Sequence, residues 1–207
     1  MIIGGSQLTI SNKTSVYYDM KITLLGNCQT RALACYLHEL NANFDVKWLC
    51  IEKFQKAGGE WVKNKFRGKF IDTIPYTSEG IKRLNISDYV IFQHIDAKTS
   101  ENYNFAKIKM HASNAKLISI SSMLYKPNDP TQRFLKGMIE RAEKFNIDIP
   151  AHKMIEKHGS KIKMLKKHHP NAFYFMELVR EICKKTGWNF FSKKQYDQYL
   201  EEGYPFG

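Results

Sequence analysis

The chain has 207 residues, of which 43% are hydrophobic and 13% aromatic. That composition supports a substantial core and argues against disorder. The formal net charge of +12 suits a nucleic acid, an anionic membrane or a phosphate-bearing ligand as partner, and equally a plain solvated basic surface. No stretch approaches the roughly 18 uninterrupted apolar residues of a membrane span. The first residues lack the basic-then-apolar layout of a signal peptide. A cytoplasmic protein without a membrane span is therefore expected.

Residues 1–19 are polar and irregular, and the expectation is an extension outside a single α/β domain over 20–207. The run from Lys21 to Gly26 reads as a buried strand ending in glycine. Apolar positions at helical spacing follow over 28–41, with Asn27 as N-cap. Phe44 to Cys50 is a second strand. Residues 52–70 are mixed, with a break at Gly58-Gly59. A short strand over Phe70–Ile74 stops at Pro75, and Ser78 is placed to cap a short helix ending near Leu84. Tyr89–Gln93 is the third clear strand, 102–112 a helix, and Lys116–Ser121 the fourth strand. Beyond residue 130 the pattern turns helical over 131–146, 150–166 and 171–186, interrupted at Pro150 and Pro170. The alternation predicts an α/β fold: a parallel sheet of about four to five strands flanked by helices, flavodoxin-like, with a helical C-terminal half.

In such sheets ligands sit beyond the carboxyl ends of the strands. Four groups fall on that rim or can reach it. Gly26-Asn27-Cys28-Gln29 stands where a strand ends, a glycine turns the chain and a helix begins. Backbone N–H groups and the positive helix end beside the sulfur would lower the thiol pKa, and the same amides could hold an oxyanion. The same spacing also fits a buried cysteine in a tight turn. His168-His169-Pro170-Asn171 opens an aromatic-rich helix, where an imidazole can serve a nucleophile as general base; tandem histidines also occur as plain surface residues. Gln93-His94 ends a strand, either donating to a carbonyl oxygen or merely closing the strand. Ser121-Ser122, followed by Tyr125-Lys126-Pro127-Asn128-Asp129-Pro130, reads as a loop suited to a phosphate or sugar, or as an ordinary proline-punctuated turn.

Cys28, Cys35, Cys50 and Cys183 form no CxxC pair, so zinc has no support and a reducing compartment suits them. Cys35, Cys50 and Cys183 lie among apolar residues and are expected in the core. There is no GxxxxGK[ST], GxGxxG or HExxH, so ATP, NAD and metal chemistry have no support either.

The strand running into GNCQ, the later strand ending in Gln93, the Pro-Asn/Asp loop and the HP segment before a helix together resemble the WcbI family of capsule polysaccharide biosynthesis proteins, over roughly residues 20–190. The layout is also similar to the wider SGNH/GDSL esterase–acyltransferase group. The WcbI resemblance implies coenzyme A as substrate or ligand and transfer of an acyl (acetyl) group to a polysaccharide or surface-sugar precursor. Cys28 would be the nucleophile or acyl carrier and His169 the base. The Gly26 and Asn27 amides and Gln93 would hold the oxyanion. Gln29 and Ser122 would contact the cofactor, with Arg31, Lys126 and Arg133 at its phosphates. Two departures stand out. Cysteine replaces the serine of the SGNH group, and Lys166 occupies the position three before His169 where those enzymes carry an aspartate. A Cys–His dyad is compatible with both, because a thiol needs less activation than a hydroxyl. Two alternatives remain at this stage. One is a thiol esterase or deacylase that uses water. The other is a non-catalytic module for nucleotide, sugar or nucleic acid, suggested by six lysines and one acid over 153–167; no recognised nucleic-acid motif accompanies it.

Overall fold

The computed structural model describes residues 19–50, 64–66, 69–75, 77–94, 104–123, 131–166 and 169–203. Nearly all of the expected extension, most of 52–70, His168 and Lys126 lie outside them.

The first strand, β1 (Met20–Gly26), is apolar on both faces because both faces are covered. Ile22 and Leu24 enter one core and Leu25 the other. Helix α1 (Cys28–Leu40) follows directly, and β2 (Phe44–Cys50) returns parallel to β1, pairing Gly26 with Cys50. The edge is built by β3 (Asn64–Phe66), antiparallel to β4 (Lys69–Pro75), which runs parallel to β2. Helix α2 (Ser78–Asn85) leads to β5 (Tyr89–Gln93), parallel to β1 on its other side. Helix α3 (Phe105–His111) leads to β6 (Lys116–Ile120), parallel to β5. The sheet order is β3-β4-β2-β1-β5-β6. The four strands expected from their apolar runs are thus all parallel, and the short strand before Pro75 adds a fifth. Ser78 is the first residue of α2; the N-cap is Thr77.

Helices cover both faces. On one, α1 joins α4 (Thr131–Lys144), α5 (Ala151–His158), α6 (Ala172–Thr186) and α7 (Lys193–Glu202) around Leu33, Tyr36, Met138, Met154, Phe175 and Tyr199. On the other, α2 and α3 bury Leu84, Ile108 and Ala112 against Leu25, Leu49, Val90 and Phe92. Each fully buried side chain of this size contributes about 1.5–3 kcal/mol. On the second face the guanidinium of Arg83 donates to Thr23 Oγ1 at 3.1 Å and pairs with Asp45, which lets an arginine stand inside the core.

The C-terminal half is mostly helical, with one correction. The expected helix over 150–166 ends at His158. Gly159 takes φ +52°, a conformation L side chains rarely adopt, and a short 3₁₀ turn follows. The chain then forms an antiparallel pair, β7 (Met164–Lys166) with β8 (His169–Pro170). Asn171 fastens that pair: its Nδ2 donates to Lys161 O at 2.9 Å, and its backbone N–H donates to Lys163 O at 2.8 Å. A further edge contact was not foreseen. Ile149 bridges Ile120 in parallel, and the Asp148 carboxylate accepts from Ser119 N at 2.9 Å, Ser119 Oγ at 2.8 Å and Lys185 Nζ at 3.2 Å. Among the described residues no helix is long and apolar enough to cross a membrane.

A half-buried cysteine at the carboxyl rim of the sheet

The turn after β1 is held by side chains from three elements. Gly26 has φ +155°, and a Cβ placed on it would stand 2.6 Å from Gln93 Oε1 and under 3.0 Å from the Thr30 side chain, at 2.8 and 2.9 Å. Only glycine lets the turn pass this close to the end of β5. The Asn27 N–H donates to Gln93 Oε1 at 2.9 Å. Asn27 is the expected N-cap, its Oδ1 accepting from Gln29 N at 2.8 Å. Thr30 Oγ1 donates back to Asn27 O at 2.7 Å and accepts from Trp48 Nε1 at 3.0 Å, which ties the first turn of α1 to β2. The Gln29 carboxamide spans to the chain after β6: its Nε2 donates to Met123 O at 2.6 Å and its Oε1 accepts from Met123 N at 2.9 Å. Asn27, Gln93 and Met123 are drawn together in this way around the first residue of α1, Cys28.

Cys28 is half-buried, whereas Cys35, Cys50 and Cys183 are buried and all four are free thiols. Burial pushes the Cys28 thiol up from its ordinary value. The Arg31 guanidinium and the N–H groups of Cys28 and Gln29 pull it down and do not outweigh burial. The expectation of a thiol pKa lowered by the helix end is therefore corrected: the stabilising amides are in place, but desolvation dominates. Burial carries Cys35 and Cys50 further, to about 12, and Cys183 to about 11.

No protein-family model matches the chain, and no curated protein matches it.

The geometry of the site changes several of the expected roles. The Asn27 N–H is taken by Gln93 and the Gln29 N–H by the Asn27 cap; the amides of Cys28 and Gln29 still pull the thiol pKa down from beside the sulfur. Gln93 is fully buried and meets the turn through its acceptor oxygen, so it clamps the loop that carries Cys28. Gln29, at 3% exposure, works as a tie to Met123 and has no surface to offer a cofactor. Arg31 lies with its guanidinium carbon 5.9 Å from the Trp48 ring centroid and exerts its charge on Cys28, Cys35 and Cys50. Ser122 is half-buried in the chain leaving β6. Arg133 lies in the first turn of α4, its side chain outside the described residues, as is Lys126 altogether. His169 is half-buried on β8, three residues before the start of α6. Burial, the Arg31 guanidinium and the two amides act on the Cys28 sulfur. His94 stacks on Phe145 with ring centroids 3.7 Å apart.

Sequence reasoning missed Thr30, Trp48 and Met123. Thr30 carried a usable signal, a hydroxyl in the first turn of a helix that can bond back to the cap. The roles of Trp48 and Met123 depend on strand neighbours and had none. Among the described residues no group of three or more His, Cys, Asp or Glu side chains is placed to hold a metal ion.

Proposed function

We propose that this chain is a CoA-dependent acyltransferase that carries the acyl group on Cys28 and passes it to a hydroxyl of a polysaccharide or surface-sugar precursor. The observation that carries the reading is a half-exposed thiol at the first position of a helix, on the carboxyl rim of a parallel sheet, with two backbone N–H groups and an arginine acting on its sulfur. The other three thiols are buried, so Cys28 is the one a substrate can meet. The resemblance of GNCQ and of His169-Pro170-Asn171 to their counterparts in the WcbI and SGNH groups supports the same assignment, and the charge of +12 suits a ligand with three phosphate groups.

In the first half-reaction a base, assigned to His169, takes the Cys28 proton. The sulfur bonds to the thioester carbonyl carbon, and the Cys28 amide at the positive end of α1 stabilises the charge that develops beside it. The bond to the CoA sulfur breaks and that sulfur receives the proton. In the second half-reaction the acceptor oxygen bonds to the same carbon, the bond to Cys28 breaks, and the hydroxyl proton ends on the Cys28 sulfur.

The test is thermal melting with CoA in low salt. A ligand that binds only the native state at a hundred times its Kd stabilises by about 2.7 kcal/mol, so a clear rise in Tm is expected. A smaller rise with dephospho-CoA would place one phosphate on a basic side chain. No shift at millimolar CoA would reject the reading.

A further inference from the structure

A helix on the outside of a sheet turns one side to the core and ordinarily presents charged and polar side chains on the other. Helix α3 departs from that pattern. Ile108, 0% exposed, and Ala112 face the core, and Phe105 stacks on Phe92 with ring centroids 5.6 Å apart. The side opposite Ile108 carries Ala106 and Met110, four residues apart and both exposed. Met110 is 62% exposed. At about 100° per residue, Lys107 and Lys109 fall on the two flanks of that side rather than over it. The helix is therefore apolar inside and outside, with a lysine at either edge of the outer stripe.

The neighbouring helix continues the surface. Helix α2 packs beside α3, and Ile86, which follows α2, is 54% exposed. Among the described residues three of the four exposed large hydrophobics, Ile86, Phe105 and Met110, thus belong to this one layer. The fourth, Leu165, lies on β7, whose Met164 packs against the other core. Lys82 on α2 and Lys109 on α3 are exposed; α3 contains no acid, and Glu79 is the one acid of α2.

Charge decides what covers this face. A second copy is a poor occupant, because two such faces would set lysines against lysines. A nucleic acid would engage the lysines and gain nothing from Met110 and Ile86. A layer of anionic lipid takes both. Separated apolar side chains enter between the headgroups without a matching shape, and lysine stems lie along the apolar region while their ammonium groups reach the phosphates. We infer that the outer side of α2 and α3 is a docking surface for an anionic lipid bilayer: Met110, Ile86 and the exposed edge of Phe105 enter the headgroup boundary, and Lys82 and Lys109 meet the lipid phosphates. The contact is peripheral. It stands whether or not Cys28 carries an acyl group.

The experiment measures partition of the full-length protein onto sedimented vesicles of phosphatidylcholine alone and of phosphatidylcholine with about 30% phosphatidylglycerol, in about 50 mM and about 500 mM NaCl. Wild type should bind the anionic vesicles in low salt, and its partition should fall at least about tenfold in high salt or on phosphatidylcholine alone. Lys82→Gln and Lys109→Gln should each lower partition about fivefold, the effect of one lysine near such a surface. Met110→Ser should lower it roughly fivefold or more with Tm unchanged, because the side chain removed is exposed. Ile86→Ser should act in the same direction, and it carries the comparison should Met110→Ser fold poorly. Lys161→Gln and Leu165→Ser, which change the same kinds of residue beside and on β7, should leave partition as it is. No binding to the anionic vesicles in low salt would overturn the inference, as would an equal loss in Lys161→Gln and Lys109→Gln. Binding that Met110→Ser and Ile86→Ser leave intact, and that a DNA duplex displaces, would give the lysines to a nucleic acid instead. Self-association that Met110→Ser abolishes, without vesicle binding, would give the stripe to a second copy.

Discussion

Replacing Gln29 by alanine is the sharpest test of how the site is assembled. The Gln29 side chain is 3% exposed and makes two hydrogen bonds, 2.6 and 2.9 Å, to the backbone of Met123, 94 residues away. Alanine leaves the Met123 N–H and C=O buried and unpaired. Each such group costs roughly 1–3 kcal/mol; with partial rehydration of one of them the total is about 2–5 kcal/mol. For a chain of this size that corresponds to a fall in Tm of roughly 4–20 °C, at about 2–4 °C per kcal/mol. Urea unfolding gives the stability change, and an unchanged m-value shows that the denatured state is not the cause. Native-state hydrogen exchange gives the local effect: the Met123 amide should lose most of its protection while Leu24 and Ile91, in central strands, change only by the global amount. Gln29→Glu should be nearly as damaging, because it keeps the acceptor and turns the donor into a carboxylate facing a carbonyl oxygen. A Gln29→Ala protein within about 0.5 kcal/mol of wild type, with Met123 still protected, would refute the role given to this tie.

Other expectations follow from the same geometry. Gly26→Ala should cost about 2 kcal/mol or more, since it brings a Cβ to 2.6 Å from Gln93 Oε1 at φ +155°; chemical denaturation measures it. Iodoacetamide should label Cys28 before Cys35, Cys50 and Cys183, because it is the half-exposed thiol. Its labelling rate should still be climbing in alkali, because burial raises its pKa from the ordinary thiol value; a plateau near neutral pH would contradict this. Stability should decline in alkali. Cys35 and Cys50 are raised by burial from 9.0 to about 12 and Cys183 to about 11. The contribution of keeping them neutral is complete below about 9 and is lost as the pH rises through those values. Denaturation midpoints from pH 7 upward check this, and Cys35→Val should flatten the fall.

The central strands were legible because their chemistry is local. Ile22, Leu24, Leu25, Val90 and Ile91 are apolar without alternation, which is what burial on both faces requires. The start of α1 was legible for a similar reason, since Asn27 caps within its own turn. The hairpin carrying His169 was not, because Gly159 and Asn171 close it through contacts that helical periodicity masks. Nor could the sequence give the direction of the Gln93 hydrogen bond. A glutamine at a strand end is equally a donor and an acceptor, and only its neighbour 66 residues away decides which. The Cys28 pKa failed for a related reason: spacing reveals a helix end, while the desolvation that opposes it comes from the whole surrounding shell.

The most direct test of the account is peptide mapping by mass spectrometry after brief incubation of the native protein with acetyl-CoA. The account predicts an acetyl thioester on the peptide containing Cys28, none on those of Cys35, Cys50 or Cys183, and none in Cys28→Ser at the same exposure. An unmodified Cys28 in protein whose Tm is raised by CoA, or equal acetylation of all accessible nucleophiles with Cys28 unremarkable among them, would contradict it.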